Sequence, residues 1–346
     1  MRIVVDAMGS DHFPRPDVEG AVMAAREYGT EIILTGDEAR LKPLLAEYDA
    51  AGLPITVRHA PEQLTMEDKG MALVLKAKRK TTQNSMAIGM DDVIAGRADA
   101  FVTMGNTGAA SVTAYFRMGT IAGVDRPALA APFPTRGGIC IVLDVGANPD
   151  CKPENLLQFA IMGSIYAERV RGTARPRVGL VSNGEEAGKG NQLIKDAYPL
   201  LKNSGLNFVG NIEGKELLGG EVEVAVLDGF TGNVLLKSSE AVAKLILETV
   251  RERIQTGPLT AKLGGMLVRP TLRGVRKLLD PSEEGAAPLL GINGLVFIGH
   301  GRSDALAVKN AVRVARQAAE ARVIDGIRTE IARTLTAAPT PQKVPA

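Results

Sequence analysis

Six short apolar runs along the chain each break off into a loop built almost wholly of Gly, Asn, Asp, Ser and Thr. Ile3-Val4-Val5 gives way to Asp6-Ala7-Met8-Gly9-Ser10-Asp11-His12, Phe101-Val102-Thr103 to Gly105-Asn106-Thr107-Gly108, and residues 139–143 to Asp144-Val145-Gly146-Ala147-Asn148. Further on, 178–181 leads to Ser182-Asn183-Gly184-Glu185-Glu186, 224–227 to Asp228-Gly229-Phe230-Thr231-Gly232-Asn233, and 295–298 to Gly299-His300-Gly301-Arg302-Ser303-Asp304. Continuous apolar runs of this length read as buried strands of a mostly parallel sheet, whose carboxyl-end loops are expected to open on one edge and bind ligand there. Two more runs, Ile32-Ile33-Leu34 and Ile55-Thr56-Val57, alternate with helical patterns at 16–28, 86–95, 153–170, 191–201, 233–254 and 304–334. This alternation predicts an α/β chain of three layers, α/β/α, around a largely parallel sheet. Residues 1–336 are read as one α/β catalytic domain, in one lobe or two, and the Pro-containing tail 337–346 as disordered.

One segment departs from the alternation. Between 259 and 279, Leu259, Leu263, Met266, Leu267, Leu272, Val275, Leu278 and Leu279 recur at three- and four-residue spacings, interleaved with Lys262, Arg269, Arg273, Arg276 and Lys277. Pro270 is expected to divide it, giving a basic amphipathic helical hairpin at 257–280. Such a hairpin fits a membrane surface, an acidic partner, or a core-packed pair with a solvated basic face.

Composition narrows the classes. The 346 residues are 45% hydrophobic, enough for a large core. Aromatics make up 4% with no Trp, and the net charge is +2, which argues against stacking on single-stranded nucleic acid and against a general polyanion binder. The N-terminus opens directly on a strand and no apolar run is long enough to span a bilayer, so a cytoplasmic location is expected. Cys140 and Cys151 supply neither a metal cluster nor an expected disulfide.

The loops are then read by elimination. Gly299-His300-Gly301-Arg302-Ser303-Asp304 lacks the third glycine of a dinucleotide fingerprint, and Gly184-Glu185-Glu186-Ala187-Gly188-Lys189-Gly190 has the wrong spacing for a P-loop. Neither a Gly-x-Ser-x-Gly elbow nor a His or Cys metal pair occurs. Two of the three histidines, His12 and His300, fall in the polar loops. What remains is a site rich in backbone N–H groups and amides, suited to an anion that is itself the nucleophile. No metal and no cofactor are expected.

Taken in order, the motifs of residues 6–12, 105–109, 125–129, 143–148, 152–154 and 228–233 resemble the PlsX family of bacterial phosphate acyltransferases over about 300 residues. The family more often carries Gly at the position of Ser10 and Tyr-Gly-Gly-Ala at that of Glu284-Gly285-Ala286-Ala287. The resemblance implies a fold similar to phosphotransacetylases and to the isocitrate and isopropylmalate dehydrogenases, and a homodimer. It implies transfer of a fatty acyl group from an acyl carrier protein thioester to inorganic phosphate, giving acyl phosphate for phospholipid synthesis. It also favours the membrane surface of the cell's inner face, or the acidic carrier protein, as partner of the basic segment Lys262, Leu263, Leu267, Arg269, Arg273, Arg276 and Lys277. Alternatives of other classes are a nicotinamide-dependent hydroxyacid dehydrogenase of related fold and a non-catalytic binder of acyl chains or carrier protein.

Phosphate is already nucleophilic at neutral pH, so such an enzyme chiefly holds it against the thioester and stabilises the oxyanion. Gly105, Asn106, Thr107, Gly108, Asn148, Asp144, Ser10, His12, Gly232 and Arg302 are the candidate phosphate and substrate ligands. Asp228, Asn233, Lys189 and His300 are the candidate catalytic set, with His300 as proton donor to the departing thiolate. Asp144 and Asp228 equally suit capping of their own loops.

Overall fold

The computed structural model describes residues 1–65, 68, 70–78 and 83–337. The strands are β1 (Arg2–Asp6), β2 (Glu31–Gly36), β3 (Ile55–His59), β4 (Ala100–Thr103), β5 (Ala128–Thr135), β6 (Gly138–Leu143), β7 (Val178–Val181), β8 (Phe208–Ile212), β9 (Val224–Val226), β10 (Ala287–Leu290) and β11 (Leu295–Ile298). The helices are α1 (Arg15–Tyr28), α2 (Glu38–Glu47), α3 (Gly70–Lys78), α4 (Ser85–Ile94), α5 (Thr107–Met118), α6 (Pro153–Arg171), α7 (Gln192–Lys202), α8 (Gly214–Gly219), α9 (Gly229–Thr256), α10 (Leu259–Leu278), α11 (Ala305–Glu320) and α12 (Val323–Ala337). The expected tail, apart from Ala337, lies outside the described residues.

All strands join one sheet in the order β3-β2-β1-β4-β11-β10-β5-β6-β9-β7-β8. Successive strand residues face opposite sides, so Ile3 and Val5 enter one core cluster with α1, α6 and α11, while Val4 enters the other with α4 and α5. The predicted three layers are therefore present.

The single ligand edge is not. From β3 to β11 the strands run parallel; β10 is antiparallel to β11 and β5, and β5 to β6, after which β6, β9, β7 and β8 run parallel again. The two parallel halves thus point in opposite directions, yet loops of both, with Thr107 and His300 from the first and Val145 from the second, line one cavity beside the β10–β5 bridge. The tight β5–β6 hairpin, with Thr135 opposite Gly138, makes the reversal. Its strand β5 escapes a sequence reading because Pro132 and Pro134 look like breakers. Only Ala128 and Leu129 of β5 pair with β10, so both prolines lie where no ladder bond to β10 is lost.

Two helical expectations also change. The 304–334 segment is two helices, broken where Arg322 takes φ 53° and the Arg169 guanidinium donates to the carbonyls of Ala321 and Arg322. Pro270 does not divide 259–278; it sits inside a continuous α10. The chain reverses earlier, at Gly257 and Pro258, where an added Cβ on Gly257 would crowd the Arg253 carbonyl. The hairpin is consequently α9 against α10, and α10 buries none of its residues.

Candidate functional site

The loop after β6 is folded around Asp144. Its fully buried carboxylate accepts from the backbone N–H groups of Leu129 (3.0 Å), Gly146 (3.2 Å), Ala147 (3.1 Å) and Asn148 (2.6 Å), and from the Asn148 amide (2.9 Å). Burial is the largest influence and pushes the Asp144 carboxyl above its usual range, with the hydrogen bonds acting against it. Asn148, also buried, donates its amide to Pro127 O as well. Both side chains thus bond protein groups around the loop and are buried.

Helix α9 begins directly on this loop. Asp228 caps it, accepting from Thr231 N (2.9 Å) and the Thr231 hydroxyl (2.7 Å), while Gly229 N donates to Asn148 O. A Cβ on Gly232 would overlap the carbonyl oxygen of Asp144, and one on Gly146, at φ 138°, would lie 3.6 Å from the Asn233 Cβ. The two loops, singled out separately in the sequence, form one interlocked unit with Asn233 exposed at its rim. Asp228 acts there as an N-cap.

Across the bridge, the first-half loops form a second unit. Buried Asp6 accepts from the Thr103 hydroxyl (2.7 Å) and Met8 N (3.1 Å), and Thr103 in turn accepts from Gly105 N. A Cβ on Gly9 would stand 2.8 Å from Gly105 N, and Asp11 N donates to Gly301 O, so the loops after β1, β4 and β11 are tied together. Ser10 is buried and donates to Asp17 (2.6 Å), whose carboxyl is pushed up to about 8 by burial first. Its hydroxyl proton is given to Asp17; His12, two residues on, is exposed.

Asn106 caps α5, accepting from Ala109 N (3.1 Å) while its amide donates to Thr65 O (3.3 Å). Thr107 and Gly108 follow it exposed, and first-turn N–H groups of a helix have no partner within it. This leaves an anion-binding end facing the bridge.

A cavity of about 530 Å³ connects the two units, lined among others by Thr107, Leu129, Val145, Leu236, Glu240 and His300. At its polar end Glu240 of α9 gathers three bases: His300 Nε2 at 3.6 Å, Arg302 at 3.5 Å and Lys237 at 3.5 Å. Burial chiefly lowers the His300 pKa, Glu240 raises it, and Lys237 and Arg302 lower it further. His300 is therefore neutral near pH 7, retaining one N–H donor.

Lys189 is exposed in the β7–α7 loop, its N–H donating to Glu186 O and its stem folded over Gly184. It does not line the cavity. The Glu185, Glu213 and Glu216 carboxylates converge nearby, but Lys215 already occupies their midst at 2.7, 3.6 and 3.3 Å. Glu240 and Asp17 went unnoticed in sequence, and Asp6 and Thr103 were read only as parts of their strand and loop, not as site residues. Only the Lys237–Glu240 spacing on a helix was visible there, and nothing local links Glu240 to His300.

Residues 1–325 match the family model described as fatty acid synthesis protein. The phosphate acyltransferase of Pelotomaculum thermopropionicum is 46% identical over 331 residues, covering 96% of this chain and 95% of that protein. That of Elusimicrobium minutum is 45% identical over 333 residues, covering 96% of each. Among solved structures, a phosphotransacetylase from Streptococcus pyogenes superposes with a TM-score of 0.62 at 17% identity, covering 92% of this chain and 94% of that one. The EutD phosphotransacetylase from Staphylococcus aureus gives 0.56 at 17% identity, over 93% and 94%. These two show the fold.

Proposed function

Because this chain belongs to the fatty acid synthesis protein family whose curated relatives are phosphate acyltransferases, and is an acyltransferase, we propose that it moves a fatty acyl group from acyl carrier protein thioester to inorganic phosphate. The observation that carries the reading is the cavity, which opens onto an anion-binding helix end at Thr107 and onto His300. Phosphate rests at the α5 N-terminus on the N–H groups of Thr107 and Gly108, shaped by Gly105 and Asn106, with His12 and Arg302 as exposed cationic or donor groups beside it. Asn233 reaches the oxyanion from the opposite rim. A phosphate oxygen attacks the thioester carbon, the C–S bond breaks as the C–O bond to phosphate forms, and the departing thiolate takes the proton that hydrogen phosphate gives up as it becomes the acyl ester, with neutral His300 at the cavity accepting that proton and passing it on. Lys189 contributes from the neighbouring loop as a long-range positive charge. The acyl phosphate enters phospholipid synthesis.

Direct attack by phosphate is supported by the thiols. Burial pushes Cys140 to about 12 and Cys151 to about 11, far from thiolate chemistry at neutral pH.

The same reading gives partners to the exposed faces of α9 and α10. Val242, Leu245 and Ile246 of α9 are more than half exposed, a face suited to a second copy of the chain in a homodimer. On α10, Leu267 is 83% and Leu263 50% exposed beside Lys262, Arg269, Arg273, Arg276 and Lys277, so the core-packed alternative does not hold within the chain. We assign this face to the inner membrane surface, with its basic residues also within reach of the carrier protein. No helix among the described residues is long and apolar enough to cross a membrane.

Incubation with acyl carrier protein thioester and phosphate, followed by hydroxylamine trapping, is expected to yield acyl hydroxamate only when phosphate is present. Asn233→Ala is expected to lower kcat about tenfold or more with unchanged thermal stability, as loss of an oxyanion donor does. Phosphate-independent product, or an unaltered kcat in the variant, would remove the respective assignment.

A further inference from the structure

Glu240 stands where the two units of the site meet. It lies on α9, which starts on the Asp144 loop, and shares with Leu236 and Ala243 the helix face that lines the cavity. His300 and Arg302 come from the other unit, on the loop after β11. Glu240 Oε1 is 3.6 Å from His300 Nε2, and its Oε2 is 3.5 Å from both Arg302 Nη2 and Lys237 Nζ. One carboxylate oxygen thus faces the imidazole and the other faces two permanent cations.

The remaining charged side chains along this wall are engaged elsewhere. Lys277 pairs with Glu283 at 3.7 Å and Glu284 with Arg171 at 2.7 Å, while Asp280 and Asp304 accept from the backbone N–H groups of Ser282 and Ala307. Among the described residues, Glu240 is the carboxylate paired with His300. Its side chain is 21% exposed, so solvent screens the pair weakly. Burial, Lys237 and Arg302 all disfavour a charged imidazole, and Glu240 opposes them. A histidine that relays a proton passes through its charged form in each turnover. Without Glu240 that form would face Lys237 and Arg302 with no countercharge.

We infer that Glu240 is the positioning residue of the proton relay: it holds His300 across the cavity and supplies the countercharge that lets the imidazole take up a proton and give it back. The inference rests on the acyl-transfer reading above. Glu240 acts through His300 and not on the substrate.

The test follows His300 itself and the reaction separately. With three histidines in the chain, ring-proton signals can be titrated by NMR, and the signal missing in His300→Gln identifies the residue. In Glu240→Gln the His300 midpoint is expected to move down by about one pH unit, as loss of a neighbouring opposite charge does. The relay needs a neutral imidazole, so activity is lost as pH falls through that midpoint, and the acid limb of kcat/KM is expected to move down with it. Plateau kcat falls at least fivefold. Lys237→Gln removes a cation from an exposed position, so midpoint and limb move up instead. Glu240→Asp keeps the charge and is expected to stay near the wild-type midpoint with kcat restored to within threefold. A merely structural role gives neither the opposed signs nor this rescue. If Glu240→Gln fails to fold, Glu240→Asp and Lys237→Gln decide. An unmoved or raised midpoint in Glu240→Gln, or a limb and kcat that ignore a lowered midpoint, overturns the role of Glu240. A midpoint that moves as expected in a protein forming no acyl phosphate from any thioester overturns the reaction instead, and the relay with it.

Discussion

Gly232→Ala is expected to lower kcat/KM at least a hundredfold. The new methyl group would occupy the position of the Asp144 carbonyl oxygen, and the obstacle is backbone rather than the end of a flexible side chain. The first turn of α9 would have to lift from the loop, shifting Asn233 and, one to two turns on, carrying Leu236 and Glu240 away from the cavity. A displacement of about 1 Å in a positioning element costs on the order of a hundredfold in rate. Gly264→Ala is the matched control: its added methyl meets nothing within 4 Å in exposed α10, so stability is expected to stay level or rise slightly. Hydroxylamine trapping and thermal melting of both variants check this. A Gly232→Ala enzyme within twofold of wild type would mean that α9 does not depend on its seat against Asp144.

Much of this architecture was legible because burial writes itself plainly into short strands. Val4, Phe101, Val142, Ala225 and Val296 sit in fully apolar runs, and their sheet positions followed. The Gly-Asn and Asp-Gly loops were visible as motifs, yet their interlocking was not. Whether a buried carboxylate such as Asp144 points at a ligand or at its own backbone depends on tertiary neighbours, here Leu129 from another strand. Strand direction was hidden for a similar reason. Pro132 and Pro134 concealed β5, the strand whose antiparallel pairing turns the second half of the sheet around. Pro270 misled in the opposite sense, since a proline costs a helix about 3 kcal/mol without deciding where the chain turns. The Glu240–His300 pairing joins residues from α9 and the β11 loop that no sequence spacing relates.

Asp144→Ala is expected to cost about 3 kcal/mol or more of unfolding free energy, because it strands four backbone N–H groups and the Asn148 amide, each costing about 1–3 kcal/mol when buried without a partner. Water entering the vacated space offsets part of the sum. Asp144→Asn separates the two roles open to this residue. One carboxylate oxygen serves Leu129, Gly146 and Ala147, while the other serves both donors of Asn148. An asparagine oxygen facing the first three keeps them satisfied, but its NH2 then confronts the two donors of Asn148. The asparagine variant is therefore expected to be less stable than wild type and more stable than Asp144→Ala. If Asp144 organises the loop, activity measured well below each variant's melting temperature tracks the stability order. Denaturant titration and hydroxylamine trapping on the same preparations measure both. Full stability in Asp144→Asn together with a collapse of kcat would place the carboxylate on the substrate and overturn its role as the core of the loop.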